Sequence, residues 1–189
     1  MSQKQSKDED VYLKYEEIHL LVKELADRIK NDEFMPDYII AIGTGGYIPA
    51  RMLKSHLNRK ILGVVLSYYD DNDRVLASFQ KIQWIDHPEL VVTGKKILIV
   101  DEVNDTGSTM AYVVQELLNS HPTELAIMVL HDKQKTKKGA IPPQIKRYYV
   151  GNYVRDKWIH YPWETSDILY HNYMAEKYAY EQRQQSPPH

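Results

Sequence analysis

The chain reads as an α/β protein built on a mainly parallel sheet, and three observations lead there. Apolar runs at Tyr38 to Ile42, Ile61 to Leu66, Ile97 to Val100 and Leu125 to Leu130 are unbroken, as strands buried on both faces require. Segments of helical spacing lie between and before them. The central run ends in charge and then in a small, hydroxyl-rich turn, and ligands in open α/β sheets bind at the carboxyl ends of strands. With 189 residues and 43% hydrophobic content the chain can bury a sizeable core, so the size expectation is one domain.

The elements follow in order. Met1 to Val11 is polar and terminal and is expected to be loosely attached. From Tyr12 to Lys30, Leu13, Ile18, Leu21, Val22, Leu25 and Ile29 recur at helical spacing, giving an amphipathic helix. Pro36 and Asp37 turn into the first strand, after which Gly43-Thr44-Gly45-Gly46-Tyr47 leads into a helix from Ile48 or Pro49 to about Leu57. Beyond Ile61 to Leu66, the run Ser67-Tyr68-Tyr69-Asp70-Asp71-Asn72-Asp73-Arg74 is dense in charge. It argues a mobile excursion over roughly residues 67–82, with Phe79 to Ile85 returning to the sheet. Asp86-His87-Pro88 and Thr93-Gly94 are turns into the central strand, which should stop at Asp101 and Glu102. Met110 to Asn119 is a helix, His121-Pro122 breaks it, and Leu125 to Leu130 is a strand ending at His131-Asp132-Lys133. Gln134 to Gly139 reads as a loop of solvated lysines, Arg147 to Tyr153 as a strand and Ser166 to Gln182 as a terminal helix.

Composition excludes several classes. A net charge of −2 with lysine and arginine spread throughout gives no footprint for sustained nucleic-acid binding. Without cysteine there are neither disulfides nor thiolate-zinc sites. No run approaches the ~20 apolar residues of a membrane span, and the chain reads as cytoplasmic. Its 15 tyrosines suit an aromatic core, subunit contacts or base stacking.

The stretch Ile97 to Thr109 carries the chemistry. Thr106-Gly107-Ser108-Thr109 offers backbone N–H groups, a glycine that permits close approach and three hydroxyls at a helix N-terminus, which together make a phosphate cradle. GxxxxGK[ST] is absent, so a monophosphate suits it better than a triphosphate. Asp101 and Glu102 can accept hydrogen bonds from neighbouring ribose hydroxyls and help to hold a divalent cation. A capped helix after a core strand, with Asp105 or Thr106 as N-cap, would account for the shortest part of this motif. Gly43 to Gly46 is a second candidate anion site by the same physics.

Taken whole, a hydrophobic run, two acids and Asp-Thr-Gly-x-Thr, the stretch resembles the phosphoribosyl-pyrophosphate signature of type I phosphoribosyltransferases. The resemblance implies an open, mainly parallel twisted sheet flanked by helices. A small C-terminal hood, roughly residues 131–189 with the N-terminal helix, would complete a single domain spanning 1–189. It implies Mg²⁺ as cofactor and 5-phosphoribosyl-1-pyrophosphate as donor. Asp105 would be the catalytic base, Asp105 to Thr109 the 5′-phosphate site, and Asp101 with Glu102 the ribose and metal ligands. Gly43, Thr44, Gly45 and Gly46 would take the pyrophosphate. Members often carry a cis peptide there, and many have a basic residue where this chain has Thr44, which brings Arg51 forward as a further contact. Ser67 to Arg74 is similar to a stretch of the bacterial xanthine-guanine enzymes in which the arginine, here Arg74, reaches the phosphorylated substrate. Lys133 falls where 6-oxopurine enzymes carry a lysine for the base oxygen. Asp156-Lys157-Trp158-Ile159-His160-Tyr161-Pro162-Trp163-Glu164 resembles their base-binding hood, with Glu164 replacing an aspartate. Trp158 would stack on the purine, the Ile159 backbone would read its edge, and Lys157 with Glu164 would brace the pocket. The implied reaction joins hypoxanthine, xanthine or guanine to the donor in a homodimer or homotetramer. Adenine or a pyrimidine as base, or a non-catalytic regulator sensing donor or nucleotide, are the alternatives.

Overall fold

The computed structural model describes residues 10–69 and 75–185. In chain order they form β1 (Val11–Tyr12), α1 (Tyr15–Asn31), β2 (Tyr38–Gly43), α2 (Tyr47–Leu57), β3 (Lys60–Tyr69), β4 (Val75–Gln83) and α3 (Pro88–Val92). Then come β5 (Lys96–Asn104), α4 (Ser108–Leu118), β6 (Glu124–Lys133), β7 (Arg147–Val154), β8 (Ile159–His160) and α5 (Ile168–Gln185). Six strands make one sheet in the order β4-β3-β2-β5-β6-β7, parallel throughout except for the β3–β4 ribbon. β1 and β8 pair in parallel as a separate two-stranded piece.

Alternation along the strands sorts the core into two layers. Leu98 and Val100 of β5 pack with Ile18, Val22, Leu25 and Ile29 of α1 and Leu53 of α2. Ile97 and Ile99 turn to the opposite face, against Val113, Val114 and Leu117 of α4. These side chains are fully buried, each contributing about 1.5–3 kcal/mol. Because β2 leads outward to β3 while β5 leads the other way to β6, the strand order reverses between β2 and β5. The turns that follow these two strands therefore flank one crevice at the carboxyl edge.

Several expectations need correction. Val11 is buried and paired with Ile159, not loose, and α1 starts at Tyr15, where the Lys14 N–H donates to Glu17 Oε2 at 2.6 Å. Asp101 and Glu102 lie inside β5, because ladder pairing with β6 continues to Asn104 opposite Asp132 after the apolar run has ended. Much of the expected excursion over 67–82 is ribbon, with β3 reaching Tyr69 and β4 starting at Val75. Pro88 opens a short helix rather than a turn. Met1 to Glu9, Asp70 to Arg74 and the last four residues lie outside the described residues, and with them the Arg74 expectation. Among the described residues no helix is long and apolar enough to cross a membrane.

Candidate functional site

The glycine turn after β2 sits directly on the acids of β5. A Cβ on Gly45 would fall 2.2 Å from the Glu102 carboxyl carbon, and one on Gly46 would lie 2.5 Å from the Val100 carbonyl oxygen and 3.1 Å from Asp101 Cα. Glycine is what allows this contact. The Gly43–Thr44 peptide bond is cis. Gly46 N–H donates to Ile42 O at 2.9 Å and Tyr47 N–H to Thr44 O at 3.2 Å; among the described residues the N–H groups of Thr44 and Gly45 have no acceptor. Arg51 is exposed and donates to Ser55 Oγ at 3.2 Å, a partner one turn further from the glycine turn.

The two acids differ in their fixings. Glu102 Oε2 accepts from the indole Nε1 of Trp163 at 2.9 Å, and Asp101 Oδ1 accepts from the Glu102 amide at 2.8 Å. Burial pushes the Asp101 carboxyl up to about 8 and the Glu102 carboxyl up to about 7. Among the described residues neither carboxylate has a lysine or arginine partner, and no group of three His, Asp or Glu side chains is assembled as a metal cage. A pair of half-buried acids without a counter-cation among the described residues fits Mg²⁺, which is commonly held by one or two carboxylates together with substrate phosphate and water.

The turn after β5 forms the cradle. Gly107 takes φ +80°, which a side chain would resist, and α4 begins immediately after it. Among the described residues the N–H groups of Thr106, Gly107, Thr109 and Met110 donate to no protein acceptor, while Ser108 N–H meets only Thr106 Oγ1 at 3.4 Å. Four amides without a protein acceptor and three hydroxyls, two of them 3.3 Å apart, thus lie at one helix N-terminus, where such groups are able to bind a phosphate. No side chain caps α4, so Asp105 and Thr106 are not its N-cap.

Asp105, at the mouth of this turn, stands in a cluster of four charges. Its Oδ1 lies 3.5 Å from Lys133 Nζ and 2.5 Å from Lys135 Nζ, and the same two amines lie 3.8 and 2.8 Å from Asp156 Oδ1. Burial pushes Asp105 upward, but the two lysines outweigh it and hold the carboxyl below the usual range. The expected loop of solvated lysines is therefore built into the site. Lys137 Nζ donates to Asn104 O at 2.6 Å and Asp105 O at 2.9 Å and pairs with Asp132 Oδ1 at 2.7 Å. Lys138 and Gly139 N–H both donate to Thr106 O, at 2.8 and 3.2 Å, so this loop backs the cradle.

The hood closes the far side. Lys133 is 7% exposed, and its amine lies 5.7 Å from the centre of the Trp158 ring, which is 62% exposed and so fills no core. Val11 N–H donates to Trp158 O at 2.8 Å and Leu13 N–H to His160 O at 3.3 Å. Since alternate carbonyls face β1, the N–H and C=O of Ile159 face away from it. Glu164 braces the hood backbone, accepting from Tyr161 N–H at 3.3 Å. Lys157 does not join it: it borders a separate hollow with Tyr153, Arg155 and Tyr178. Tyr161 and Trp163, which the sequence reading passed over, stack at 4.7 Å. The Tyr161 hydroxyl meets Glu102 O at 3.1 Å and His131 Nδ1 at 2.8 Å. The only local signal for them was a second tryptophan in the Tyr-Pro-Trp-Glu run. Lys135 and Lys137 carried none.

A phosphoribosyl transferase domain model matches residues 10–166. The hypoxanthine-guanine phosphoribosyltransferase of Saccharomyces cerevisiae is 38% identical, with 90% of this chain and 92% of that protein covered. Xanthine phosphoribosyltransferase 1 of the same yeast is 37% identical, covering 90% and 97%. Among solved structures, a hypothetical protein from Neisseria gonorrhoeae with bound ppGpp is 40% identical with a TM-score of 0.84, covering 92% of this chain and 99% of that one. A purine phosphoribosyltransferase from Pyrococcus horikoshii is 26% identical with a TM-score of 0.68, covering 85% and 98%. With the domain matched over residues 10–166 and this degree of identity along most of its length, the chain belongs to the phosphoribosyl transferase family.

Proposed function

We propose that the chain transfers the 5-phosphoribosyl group from 5-phosphoribosyl-1-pyrophosphate to a 6-oxopurine, giving the nucleoside monophosphate and pyrophosphate in purine salvage. The observation that carries this reading is the buried Lys133 amine, beside the Asp105 carboxylate and an open tryptophan face on the edge that also bears the cradle. An ammonium donates only, so it selects a carbonyl at the six position over the amino group of adenine. The named yeast relatives, and a neighbour holding a guanine nucleotide, agree with a purine site.

In this mechanism the 5′-phosphate rests on the Thr106 to Thr109 turn and the ribose hydroxyls on Asp101 and Glu102. Trp158 covers the base and Ile159 reads its edge. The C1–oxygen bond to pyrophosphate breaks, its electron pair leaving with pyrophosphate, as purine N9 forms the new bond to C1. The proton on N7 passes to Asp105, which its lysines keep ionised. Thr44 and Gly45 N–H groups receive charge that builds on the leaving oxygens, in place of the basic residue many members have. Arg51 adds to them by swinging back from Ser55, and Arg74 by reaching the phosphorylated substrate. Asp101 and Glu102 would hold Mg²⁺, which supplies Lewis-acid stabilisation of the pyrophosphate when bound. Holding donor and base in line contributes ~7 kcal/mol or more to lowering the barrier. The working unit is proposed as one domain, assembled as a homodimer or homotetramer in the cytoplasm.

The test is a competition assay with hypoxanthine, xanthine, guanine and adenine against the pyrophosphate donor. Nucleotide from one or more of the first three and none from adenine is expected. Adenine as the preferred base, or no turnover with any base, overturns the reading; the latter outcome leaves a nucleotide-sensing regulator in its place.

A further inference from the structure

The cluster around Asp105 contains a cation for which the proposed reaction has no use. Lys133 and Lys135 face the two carboxylates of Asp105 and Asp156, so two positive charges balance two negative ones. Of the two amines, that of Lys135 makes the shorter contact with each acid. Its backbone is fixed as well: Lys135 N–H donates to Lys133 O at 2.9 Å and Gln134 N–H to Val154 O at 2.7 Å, tying this turn to the ends of β6 and β7. The remaining cation nearby is already committed, since Lys137 serves the Asp105 carbonyl and Asp132, whose other oxygen takes Asn104 and Tyr148.

A base whose carbonyl draws the Lys133 amine takes one cation away from Asp105 at the moment its carboxylate must receive a proton. We propose that Lys135 is the positioning residue that keeps a cation on Asp105 when Lys133 turns to the base, with Asp156 as the counter-anchor that sets how firmly it does so. The role rests on the transfer reaction proposed above. Lys135 touches neither substrate in this scheme. It acts through Asp105, by favouring the charged form and by holding the carboxylate at the mouth of the cradle. Asp156 competes for the same amine and, two residues before Trp158, links it to the hood.

The experiment follows kcat at saturating hypoxanthine and donor against pH, which reads Asp105 with the base bound, in the wild type and in Lys135→Met, Lys135→Arg and Asp156→Asn. The reacting form of Asp105 is ionised. Removing a neighbouring cation favours its protonated form, so the acid limb of Lys135→Met moves to higher pH by about one unit. Lys135→Arg keeps the charge and retains the wild-type limb. Asp156→Asn frees both lysines for Asp105, and its limb stays at the wild-type position or below. Four results overturn the assignment: a uniform loss across all pH values in Lys135→Met, a limb that does not move, an arginine variant that shifts as far as the methionine one, or an upward shift in Asp156→Asn. A wild type that forms no nucleotide from any oxopurine overturns the reaction and the role of Lys135 together, whereas an active wild type beside an unmoved Lys135→Met limb removes Lys135 alone.

Discussion

Asp105 and His131 show how one environment assigns opposite tasks to two titratable side chains. Asp105 is half-buried but faced by two amines, so its charged form survives and it can accept a proton. Asp105→Asn keeps the shape and an acceptor oxygen but has no site for the proton. Turnover is expected to fall about 100-fold or more while the KM for the donor stays within about twofold, as initial rates at saturating base would read. Equal turnover in the variant would remove its catalytic role. His131 is 2% exposed and has no carboxylate partner among the described residues, and burial pushes its imidazole down to about 4. If the Tyr161 proton goes to the Glu102 carbonyl, His131 donates from Nδ1, and a second proton has no place there. The unfolded chain binds that proton below about pH 6.5, so this contribution to stability is complete above that value and is lost as pH falls towards 4. Between pH 7 and pH 5 the urea-unfolding free energy of the wild type should fall by about 2 kcal/mol relative to that of His131→Gln, the raised Asp101 and Glu102 carboxyls contributing alike to both proteins. A variant with the wild-type slope would place the titration elsewhere.

Among the elements, the turn over residues 134–139 departs furthest from its sequence. Lysine-rich composition suggested solvated charge, yet Lys137 closes the end of β5 through two carbonyls and the buried Asp132. Lys137→Met leaves those acceptors with one partner fewer. It should cost about 2 kcal/mol in urea unfolding and raise the KM for the donor, because the cradle loses its backing. Unchanged stability would restore the solvated reading. The contrast shows what sequence can and cannot carry. Strands covered on both faces need continuous apolar runs, so the four central strands were visible at Tyr38, Ile61, Ile97 and Leu125. The far end of the central strand was not, since Asp101 to Asn104 is held by ladder bonds that any side chain tolerates. The β3–β4 ribbon was underestimated for the same reason. In the site, the Gly43 to Gly46 and Asp105 to Thr109 turns were readable because each is one local motif. Trp163, Tyr161, Lys135 and Lys137 act on residues elsewhere in the chain, and nothing beside them in sequence announces that.

The longest of these connections joins the two ends of the chain. β1 is only two residues long, too short for any period, and it exists because β8 offers an edge of the same length. Around this pair Tyr12 stacks on His160 at 4.2 Å, Asp10 meets His160 Nε2 at 3.0 Å, and His171 of α5 reaches Leu13 O at 2.8 Å. Three separated segments thus hold the backbone of Ile159, next to Trp158 in the chain. The cradle hangs from β5 and α4 instead and shares none of these contacts. Base recognition and donor recognition should therefore separate when β1 is disturbed. Val11→Pro removes the N–H that donates to Trp158 O while keeping an apolar residue at a buried position. The KM for the base is expected to rise about tenfold, corresponding to the net worth of one buried hydrogen bond, with the donor KM unchanged within about twofold. Steady-state titration of each substrate against a fixed excess of the other reads both values. Parallel increases would mean that β1 supports the whole fold and not the hood, and an unaltered base KM would mean that Ile159 is held by α5 alone.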